Sequence, residues 1–553
     1  MQKLKSGRLL RTACLRALFV AFVVAMGSAS AWSQGTLKGF LRSKASGEPI
    51  LFTSVSLEGT PYGVTTDVGG FYSLSKVPAG TYTLVVSSLE FEGVREEVVI
   101  KDGGIITRNF LLSPKVIALG SAEVSADRQE QLTNVNMSIE TIRPADLRRV
   151  PSFGGSPDLV QALQVLPGFV STGDQGGQLY IRGGSPIQNM VLLDGMIVYN
   201  AFHSIGLFSV FDSDLISNAD IYTGGFSARF GGRISSVMDI KTRDGNKQEL
   251  AGRVGASPFG ARLLLEGPLK KLDASGSGIS FVLSLKNSYL EQTSKVLYDY
   301  VNRDGEGLPF NFTDAYGKIS FGGSTGSKFS LFGFRFADRV SYQALSNLSW
   351  VNAGGGGNFT VVPPGSAILM TGHFATSTYN IRLEEETLPD RYSKVNGFNF
   401  GLDFKYVLGE DDVRYGLEVV GMETDFKTFN ALGVGVEQVE NTTQFGGYID
   451  YRIHRGKVIW NPSLRMQYYS SLAKFRPEPR IGLKYKASER LRLKMAAGLY
   501  SQNIISSNSD RDVVNLFYGF LAGPENLQNN FITPDGDVKE IVHSLQTASH
   551  VVA

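Results

Sequence analysis

Few residues in this chain have the types and spacing that catalysis requires. The five histidines are scattered, and none belongs to the His-Glu-x-x-His run that holds zinc in metallopeptidases. A Gly-x-Ser-x-Gly pattern at 322–326 could form a nucleophile elbow, but it lies between two strand-like runs, so we interpret it as a turn. The "GGGGNF" run that begins at Gly354 lacks the Lys and Ser/Thr of a phosphate loop. We therefore predict no enzyme activity, no catalytic or metal-binding residue and no cofactor.

Arginines within glycine-rich, otherwise apolar runs are the more informative candidates. A buried guanidinium group needs a paired charge, and Glu266 and Glu418 are plausible carboxylate partners. Two roles remain open for these residues: contacts that hold a movable domain, or purely structural salt bridges. Because "RGG" occurs once, it does not indicate RNA binding. The candidate structural or gating residues are Arg182, Gly183, Gly184, Asp194, Gly195, Arg229, Gly231, Gly232 and Arg233.

The N-terminus predicts export. Five basic residues precede an apolar run at 17–26, and small residues follow it up to a predicted cleavage site between Ala31 and Trp32. Ten apolar residues are too few to span the ~30 Å of hydrocarbon in a bilayer. Cys14 is the single cysteine and lies before this apolar run, so we expect no disulfide in the mature chain.

The composition indicates glycine-punctuated β structure. Hydrophobic residues make up 42% of the 553 residues, charged residues make up 19%, and glycine occurs 63 times. A net charge of +2 without a Lys/Arg block gives no indication of a nucleic-acid partner. Beyond the signal no run of about 18 apolar residues occurs, so we expect a soluble exported protein or a β-barrel.

Residues 35–114 predict a small antiparallel β-sandwich, because short β-type runs alternate with turns marked by Gly69, Gly70 and Pro78. The run "GEPILFTSVSLEGTPYGVTTDVGGFYSLSKVPAGTYTL" resembles the carboxypeptidase regulatory-like domain in its order of turn residues. That resemblance implies a structural or interaction module without peptidase activity.

Residues 137–245 predict an α+β domain behind a polar linker. Ser156 and Asp158 could cap a helix that ends at Pro167. Four motifs resemble, in order, the plug domain of TonB-dependent receptors: "DLVQALQVLPGF", "LYIRGGSP", "VLLDGMIVYN" and "IYTGGFSARFGGRISSVMDIKTRDG". With the regulatory-like domain in front, the chain is similar to the receptors common in Bacteroidetes.

Residues 249–553 predict an antiparallel transmembrane β-barrel. Runs such as 398–406 alternate apolar with polar side chains, which would face lipid and lumen respectively. "KASER" predicts a short periplasmic turn, whereas 342–369 and 501–539 predict long external loops. We find about eleven or twelve strand candidates, roughly half of the 22 strands that the resemblance to TonB-dependent receptors implies, so we expect a partial barrel from a truncated reading frame or fragment.

The resemblance also implies partners and an energy source. In the family, a short extended peptide ahead of the plug pairs as a strand with TonB, which belongs to an inner-membrane energy-coupling complex. The candidate TonB box lies in the segment 118–136, although an ordinary linker is the alternative. Its residues are Leu119, Gly120, Ser121, Ala122, Glu123, Val124 and Ser125. Outer-membrane lipid and a surface lipoprotein are further implied partners.

The predicted fold is therefore mainly β: signal peptide (1–31), β-sandwich (35–114), plug (137–245) and barrel (249–553) in the outer membrane, with the N-terminal domain in the periplasm. The predicted function is energised import of a scarce ligand of the siderophore, cobalamin or glycan class. The alternatives are a non-transporting surface receptor or adhesin, or an inactive fragment. A passive porin fits poorly because of the plug.

Overall fold

The computed structural model describes residues 34–88, 90–115, 139–152, 157–171, 179–203, 208–273, 275–298, 307–342, 346–363, 365–386, 389–409, 411–429, 435–488, 491–506, 520–522, 530–532, 538–540 and 546–552. The predicted signal-peptide cleavage site and the TonB-box candidate lie outside these residues.

The N-terminal domain is a sandwich of two small sheets. Its strands are β1 (Gly35–Ser43), β2 (Ser54–Leu57), β3 (Gly63–Thr65), β4 (Phe71–Val77), β5 (Gly80–Ser87), β6 (Val94–Ile100), β7 (Ile105–Thr107) and β8 (Phe110–Leu112). The first sheet has the order β4-β1-β7, with β8 also paired to β1, and the second has the order β3-β2-β5-β6. Alternate side chains such as Leu37, Leu41, Val55 and Leu84 form the core between them, as period-two patterning predicts.

The plug follows as a mixed sheet with short helices. Its elements are β9 (Ile139–Ile142), α1 (Pro144–Leu147), α2 (Leu159–Gln164), β10 (Phe169–Ser171), β11 (Leu179–Ile181), a 3-10 turn (Pro186–Gln188), β12 (Asn189–Leu193), β13 (Met196–Ile197), β14 (Ile216–Tyr222) and β15 (Ser236–Thr242). The five-stranded sheet has the order β13-β12-β15-β14-β9, and β12 runs parallel to β15.

The helix predicted in the plug is present, and its cap is formed as expected. The Asp158 side chain accepts a hydrogen bond from the Val160 N–H at 2.8 Å, which satisfies one of the free donors at the helix start. The helix ends at Gln164, ahead of Pro167 and of Gly168, whose φ is +85°. Its apolar face buries Leu159 and Leu163 in the plug core.

The third part is a wall of antiparallel strands around the plug. In chain order its elements are β16 (Ala251–Ala256), β17 (Gly260–Lys270), β18 (Gly278–Ser288), α3 (Leu290–Leu297), β19 (Phe310–Gly322), β20 (Lys328–Tyr342), β21 (Ser346–Val361), β22 (Ile368–Glu385), β23 (Arg391–Leu408), β24 (Asp411–Phe429), β25 (Gly435–Arg455), β26 (Val458–Tyr469), β27 (Lys474–Lys486), β28 (Arg492–Gln502), β29 (Ile504–Ser506), β30 (Phe520–Ala522), β31 (Asn530–Ile532), β32 (Val538–Glu540) and β33 (Gln546–Val552). One continuous sheet of 14 strands runs from β16 to β28 and ends on β33.

The wall alternates as the sequence predicts. On β23, Phe398, Phe400 and Tyr406 point outward and are exposed, whereas Val395 and Asn399 point inward and are buried. Neighbouring strands repeat the pattern in register, so the outer face is an apolar band and the inner face meets the plug.

The apolar outer band ends before the strands do. Beyond Phe398, the next outward positions on β23 are Asn396 and Lys394, and their cross-strand neighbours on β24 are Glu423 and Asp425. Polar side chains thus cover the outer face of this end of the wall, while the backbone ladder continues past them.

One predicted loop is a strand. The prediction of a long external loop at 342–369 is wrong, because β21 occupies most of that range and pairs along its length with β20 and β22. A Cβ at Gly354 would lie 3.0 Å from Met196 Sδ of the plug, and one at Gly357 would lie 2.7 Å from the ring of Phe374 on the outer face. These glycines therefore allow other groups to approach the strand closely. The interpretation of the glycine-rich run as a flexible loop was wrong. The sheet of 14 paired strands exceeds the eleven or twelve expected, and β21 is one of the additional strands.

The two rims of the wall differ. The connections at 271–277, 323–327, 362–367, 409–410, 456–457 and 487–491 are all short and share the rim where the N-terminal domain lies. "GGSTG" and "KASER" fall in two of these turns, as predicted. The opposite rim has the longest connections, 289–309 and 503–545. No helix in the described ranges is long and apolar enough to cross a membrane.

Candidate gating site between plug and wall

The plug is held against the inner wall by polar clusters as well as by apolar packing. Several predicted candidates lie at tight turns of the plug. Arg182 (φ +49°) and Gly183 (φ +80°) form the turn after β11, and Asp194 (φ +51°) and Gly195 (φ +91°) form the turn between β12 and β13. Positive φ at two successive positions is the requirement of a two-residue hairpin turn, which explains the Asp-Gly pair.

Asp194 also connects that turn to the wall. Its carboxylate accepts hydrogen bonds from the Thr242 hydroxyl at 2.6 Å and from the Tyr316 hydroxyl of β19 at 2.5 Å. Lys318 of β19 lies 3.5 Å from the same carboxylate. Thus a turn residue of the plug is bound by two wall side chains that follow each other on the inward face of β19.

A second cluster, the histidine bridge, consists of His203, Asp314 and Asp338. His203 Nε2 lies 2.9 Å from Asp314 of β19, and Nδ1 lies 3.0 Å from Asp338 of β20. The imidazole is buried and stacks on Phe312 at a centroid distance of 3.7 Å. Burial by itself would lower the pKa of His203, but the negative charge of Asp314 and the hydrogen bonds to both carboxylates raise the pKa above its usual value. The bridge is therefore an ionic link when the imidazole is protonated.

A third cluster, the carbonyl clamp, consists of Arg465 and Arg480 on the inner wall. Arg465 donates to the backbone oxygens of Ala228 at 3.3 Å and Arg229 at 3.0 Å. Arg480 donates to the oxygens of Phe226, Ser227 and Phe230 at 3.2, 2.6 and 2.8 Å. Each guanidinium group is neutralised within the wall, by Glu418 at 2.5 Å and by Glu478 at 2.7 Å respectively.

Glycine is required in the plug loop under the clamp. A Cβ at Gly231 would overlap the guanidinium of Arg465, and Gly232 has a φ of +72°. Gly184 is equally confined, since a Cβ there would overlap the Ser235 side chain. These predicted positions therefore let the plug backbone approach neighbouring side chains closely.

The predicted arginines have different surroundings. Arg229 lies 3.4 Å from Asp403 of β23, whose charge is the main cause of its raised pKa. Arg233 is buried and donates to the Gly232 oxygen at 2.8 Å. Glu266 and Glu418 do accept guanidinium groups, but those of Arg243 and Arg465.

A fourth cluster surrounds Asp244 at the end of the plug. Burial alone would raise the pKa of this carboxyl group, but Lys328, Lys247 and Lys318 together lower the pKa well below its usual range. Lys328 lies 2.5 Å and Lys318 3.6 Å from the carboxylate, both from the wall. This cluster joins the plug to the start of the wall.

The sequence pointed to Glu418 of the carbonyl clamp but not to most of the other wall residues in these clusters, nor to His203 of the plug. The overlooked residues are His203, Asp314, Asp338, Tyr316, Lys318, Arg465, Arg480 and Glu478. The available signal was a charged side chain at an inward position of an alternating strand, for example Asp314 between Phe312 and Tyr316. Such a residue in a lumen filled by a plug requires a partner.

The arrangement can hold a domain and release it. Buried hydrogen bonds to carbonyl groups and carboxylates are directional and can be exchanged for water, so each cluster is stable until water enters. We see no grouping of His, Cys, Asp and Glu suited to a metal ion within the described residues.

Comparison with known proteins agrees with this geometry. Residues 37–124 match the CarboxypepD_reg-like domain, and residues 131–237 match the TonB-dependent Receptor Plug Domain. The TonB-dependent transporter Oar of Myxococcus xanthus is 26% identical over 278 residues, which are 48% of this chain and 26% of Oar. The TonB-dependent receptor SusC of Bacteroides thetaiotaomicron is 24% identical over 222 residues, which are 38% of this chain and 21% of SusC.

The chain therefore covers about a quarter and about a fifth of the length of these two relatives. Among solved structures, the ferric enterobactin receptor PfeA of Pseudomonas aeruginosa aligns with a TM-score of 0.51 at 13% identity, covering 72% of this chain and 68% of that one. At this identity the likeness concerns the fold. The chain therefore carries a carboxypeptidase regulatory-like domain ahead of a TonB-dependent receptor plug domain, and in this domain order and in fold it is similar to TonB-dependent outer-membrane receptors.

Proposed function

We propose that the protein imports a scarce ligand across the outer membrane by an energised rearrangement of its plug. The observation that carries the proposal is the mode of plug attachment. The carbonyl clamp, the histidine bridge and the Asp194 and Asp244 clusters bind the plug through side chain to backbone hydrogen bonds and ion pairs. Such contacts can break and re-form without unfolding the wall, whose own strands are joined by a continuous backbone ladder.

The proposed energy source is TonB, bound as an added strand to residues 119–125. Strand addition uses backbone hydrogen bonds, so it tolerates many sequences. The family relation supports this partner, since both curated relatives are described as TonB-dependent. We propose no catalytic step, because the relatives are a transporter and a receptor.

The substrate class proposed is a siderophore, cobalamin or glycan. The structural relatives include a ferric enterobactin receptor, which supports the first, whereas the name of SusC as a receptor selects none of them. A surface lipoprotein remains a proposed partner for the long connections of the outer rim. The alternative that the chain is a non-transporting receptor or adhesin predicts binding without uptake.

Deletion of 119–125 tests the proposal in cells that carry the full chain. Uptake of a labelled ferric siderophore, of cyanocobalamin and of a labelled oligosaccharide is measured alongside binding to the same cells. We expect uptake of one probe to be lost and its binding to remain. A matched deletion of 127–133 in the polar linker should leave uptake intact. Unchanged uptake after removal of 119–125 would refute energised import, and binding without uptake by the unmodified chain would favour the receptor alternative.

A further inference from the structure

The first sheet of the N-terminal domain is buried on both faces. On β1, Leu37 and Leu41 point into the sandwich core, whereas Lys38, Phe40 and Arg42 point the other way. All five are buried, and Lys38 is only 1% exposed. A two-sheet sandwich standing alone would present that second face to water. The second sheet behaves in that way, since β6 alternates exposed and buried residues.

The second face of this sheet is buried by the rim of the wall that has the short turns. Arg42 donates from Nη1 to the Gly276 oxygen at 2.9 Å, in the turn between β17 and β18. From Nη2 it donates to the Gly326 oxygen at 3.2 Å, in the turn between β19 and β20. Asn109 donates to the Ser324 oxygen in that same turn at 3.0 Å. One side chain thus joins two neighbouring turns.

The next turn along the rim receives Lys38 and two aromatic rings. Lys38 Nζ donates to the Pro363 oxygen at 3.1 Å and to the Ser366 oxygen. Phe40 packs with Phe71 and with wall residues flanking this turn, Val362 and Leu369. Because a buried ammonium group needs such partners, the turn carbonyls replace the water that Lys38 would otherwise bind.

A fourth turn meets β4. The Ser75 hydroxyl accepts from the Gly409 N–H at 2.6 Å and donates to the Val407 oxygen at 3.2 Å. Asp67 lies 3.9 Å from Lys405 of β23. Within the described residues, the contacts of the domain with the turns of this rim lie at four successive turns, between β17 and β24. Further hydrogen bonds and an ion pair join 44–48 to 243–248, the segment that leads into the wall.

We propose that this part of the periplasmic rim is a docking surface for the first sheet of the N-terminal domain, and that the docked domain is released before the plug moves. The second statement rests on the proposed function, because it concerns a pull on residues 119–125. The first statement concerns the protein with neither TonB nor ligand present.

Chain length supports the order of release. The pulled segment begins four residues after Lys115 (119 minus 115), where the docked domain ends in a backbone hydrogen bond to Glu90 at 2.7 Å. It ends fourteen residues before Ile139 (139 minus 125), which is paired to Tyr222 in the plug sheet. At about 3.4 Å per extended residue, the tether to the domain becomes taut after ~14 Å and the tether to the plug after ~48 Å.

Relative strength supports the same order. The domain is held by the contacts described above, by one four-residue apolar cluster, and by a few contacts to the segment that joins plug and wall, where Lys247 donates to the Ser46 and Gly47 oxygens and Arg243 lies 3.6 Å from Glu48. The plug is held by its polar clusters and by two large apolar cores shared with the wall. The shorter tether, which tightens first, is therefore the one attached to the more weakly held N-terminal domain.

Cysteine cross-linking tests the docking surface in intact outer membranes. With Cys14→Ser as background the chain has no other cysteine. The first cysteine pair is Asn109→Cys with Ser324→Cys. The second pair, the control, is Asn109→Cys with Ser488→Cys, which lies in a turn on the part of the rim beyond β24. A protease site is placed within 127–136. After joining with a short bismaleimide and cleavage, we expect the fragments to stay together for the first pair and to separate for the second. Separation in both, or linkage in both, would overturn the docking surface.

Two kinds of variant test which contacts hold the domain. Lys38→Ala with Arg42→Ala should lower the ratio of docked to undocked domain at least tenfold, which is about 1.4 kcal/mol. Arg95→Ala, on the exposed second sheet, should change it less than twofold. Gly326→Asn changes the rim and leaves the sequence of the domain unaltered. Asn tolerates the φ of +88°, but its Cβ would overlap the Phe40 ring, so we expect this variant to weaken docking as well. Undiminished cross-linking in both rim-contact variants would refute the assignment.

Force spectroscopy tests the order of release without TonB or ligand. The barrel is held in a supported membrane and pulled through a handle at residue 120. We expect an early low-force event that is absent from the Lys38→Ala, Arg42→Ala variant, followed by extension of the plug. Plug extension as the first event in the unmodified chain would overturn the order, whereas failure of import would leave both results standing.

Discussion

Replacing His203 by phenylalanine should loosen the plug while leaving the ring stack in place. The new ring can occupy the same position against Phe312, but the buried carboxylates of Asp314 and Asp338 lose their shared partner, and Lys286, 3.7 Å from Asp314, stays as a more distant charge. Removing one member of a buried ion pair costs about 3–5 kcal/mol. Opening of the plug should therefore become about two to three and a half orders of magnitude more frequent, at ~1.4 kcal/mol for each factor of ten.

Hydrogen exchange of the full chain in detergent at pH 7 measures this opening on peptides that span β12 and β13. Heat-modifiable migration on a gel confirms that the wall has assembled in each variant. His203→Phe combined with Asp314→Asn and Asp338→Asn is the matched control, because it removes the carboxylate charges together with the imidazole. We expect that control to regain most of the protection. Native-like exchange in the single variant, or equal loss in the triple variant, would refute the reasoning.

The same bridge predicts a pH dependence with a definite sign. Because the pKa of His203 is raised in the folded protein, the ionic link contributes fully below the ordinary value of about 6.5. The contribution is lost as pH rises through the raised pKa. Plug protection, corrected for intrinsic exchange rates, should fall with rising pH in the native chain and stay flat in His203→Phe. A native profile that rises with pH would contradict the assignment.

Three further changes test other contacts. Gly231→Ala should weaken plug attachment by about 1–3 kcal/mol, because its Cβ displaces Arg465 from the carbonyl oxygens. Hydrogen exchange of 223–235 measures this effect. The control is Gly447→Ala, whose Cβ would meet no atom within 4 Å. Phe400→Arg should destabilise the wall by about 2–4 kcal/mol, because it puts a charge in lipid, seen as a lower temperature of heat modification. Asp158→Ala should cost about 1–2 kcal/mol of local stability through loss of the helix cap, and it also removes the acceptor of the Ser209 N–H and hydroxyl. Faster exchange at 159–166 and at Ser209 would confirm this, and unchanged exchange at 159–166 would contradict it.

Local patterns were enough to predict the elements but not the partners of buried charges. Alternation at 398–406 predicted a strand with a lipid face and a lumen face, and the structure has both. Asp158 predicted a helix cap for a local reason, since donor and acceptor are two residues apart. Asp314 and His203 are separated by 111 residues, and only the register of β19 against the plug brings them together. No local signal encodes that register.

Glycine is the residue whose meaning depended most on context. In the Asp194-Gly195 turn it permits a tight hairpin, because two successive positive φ angles favour an Asp-Gly pair. At Gly354 and its neighbours the same residue type lies within a long strand, where the reason is the approach of Met196 and of outer aromatic rings. The sequence contains no sign of those neighbours, so the loop prediction failed there.

The length of the strands determines what a cell carrying this protein presents to its surroundings. β25 has 21 residues, and at ~3.3 Å per residue with a tilt near 45° it rises roughly 49 Å. An apolar band takes about 25 Å of that height, so on the order of 20 Å of hydrogen-bonded wall stands outside the bilayer under polar side chains such as Lys394 and Asp425. Antibodies or phage that reach this surface would bind a rigid, hydrogen-bonded β-sheet. Epitopes there should depend on the folded register and disappear on boiling.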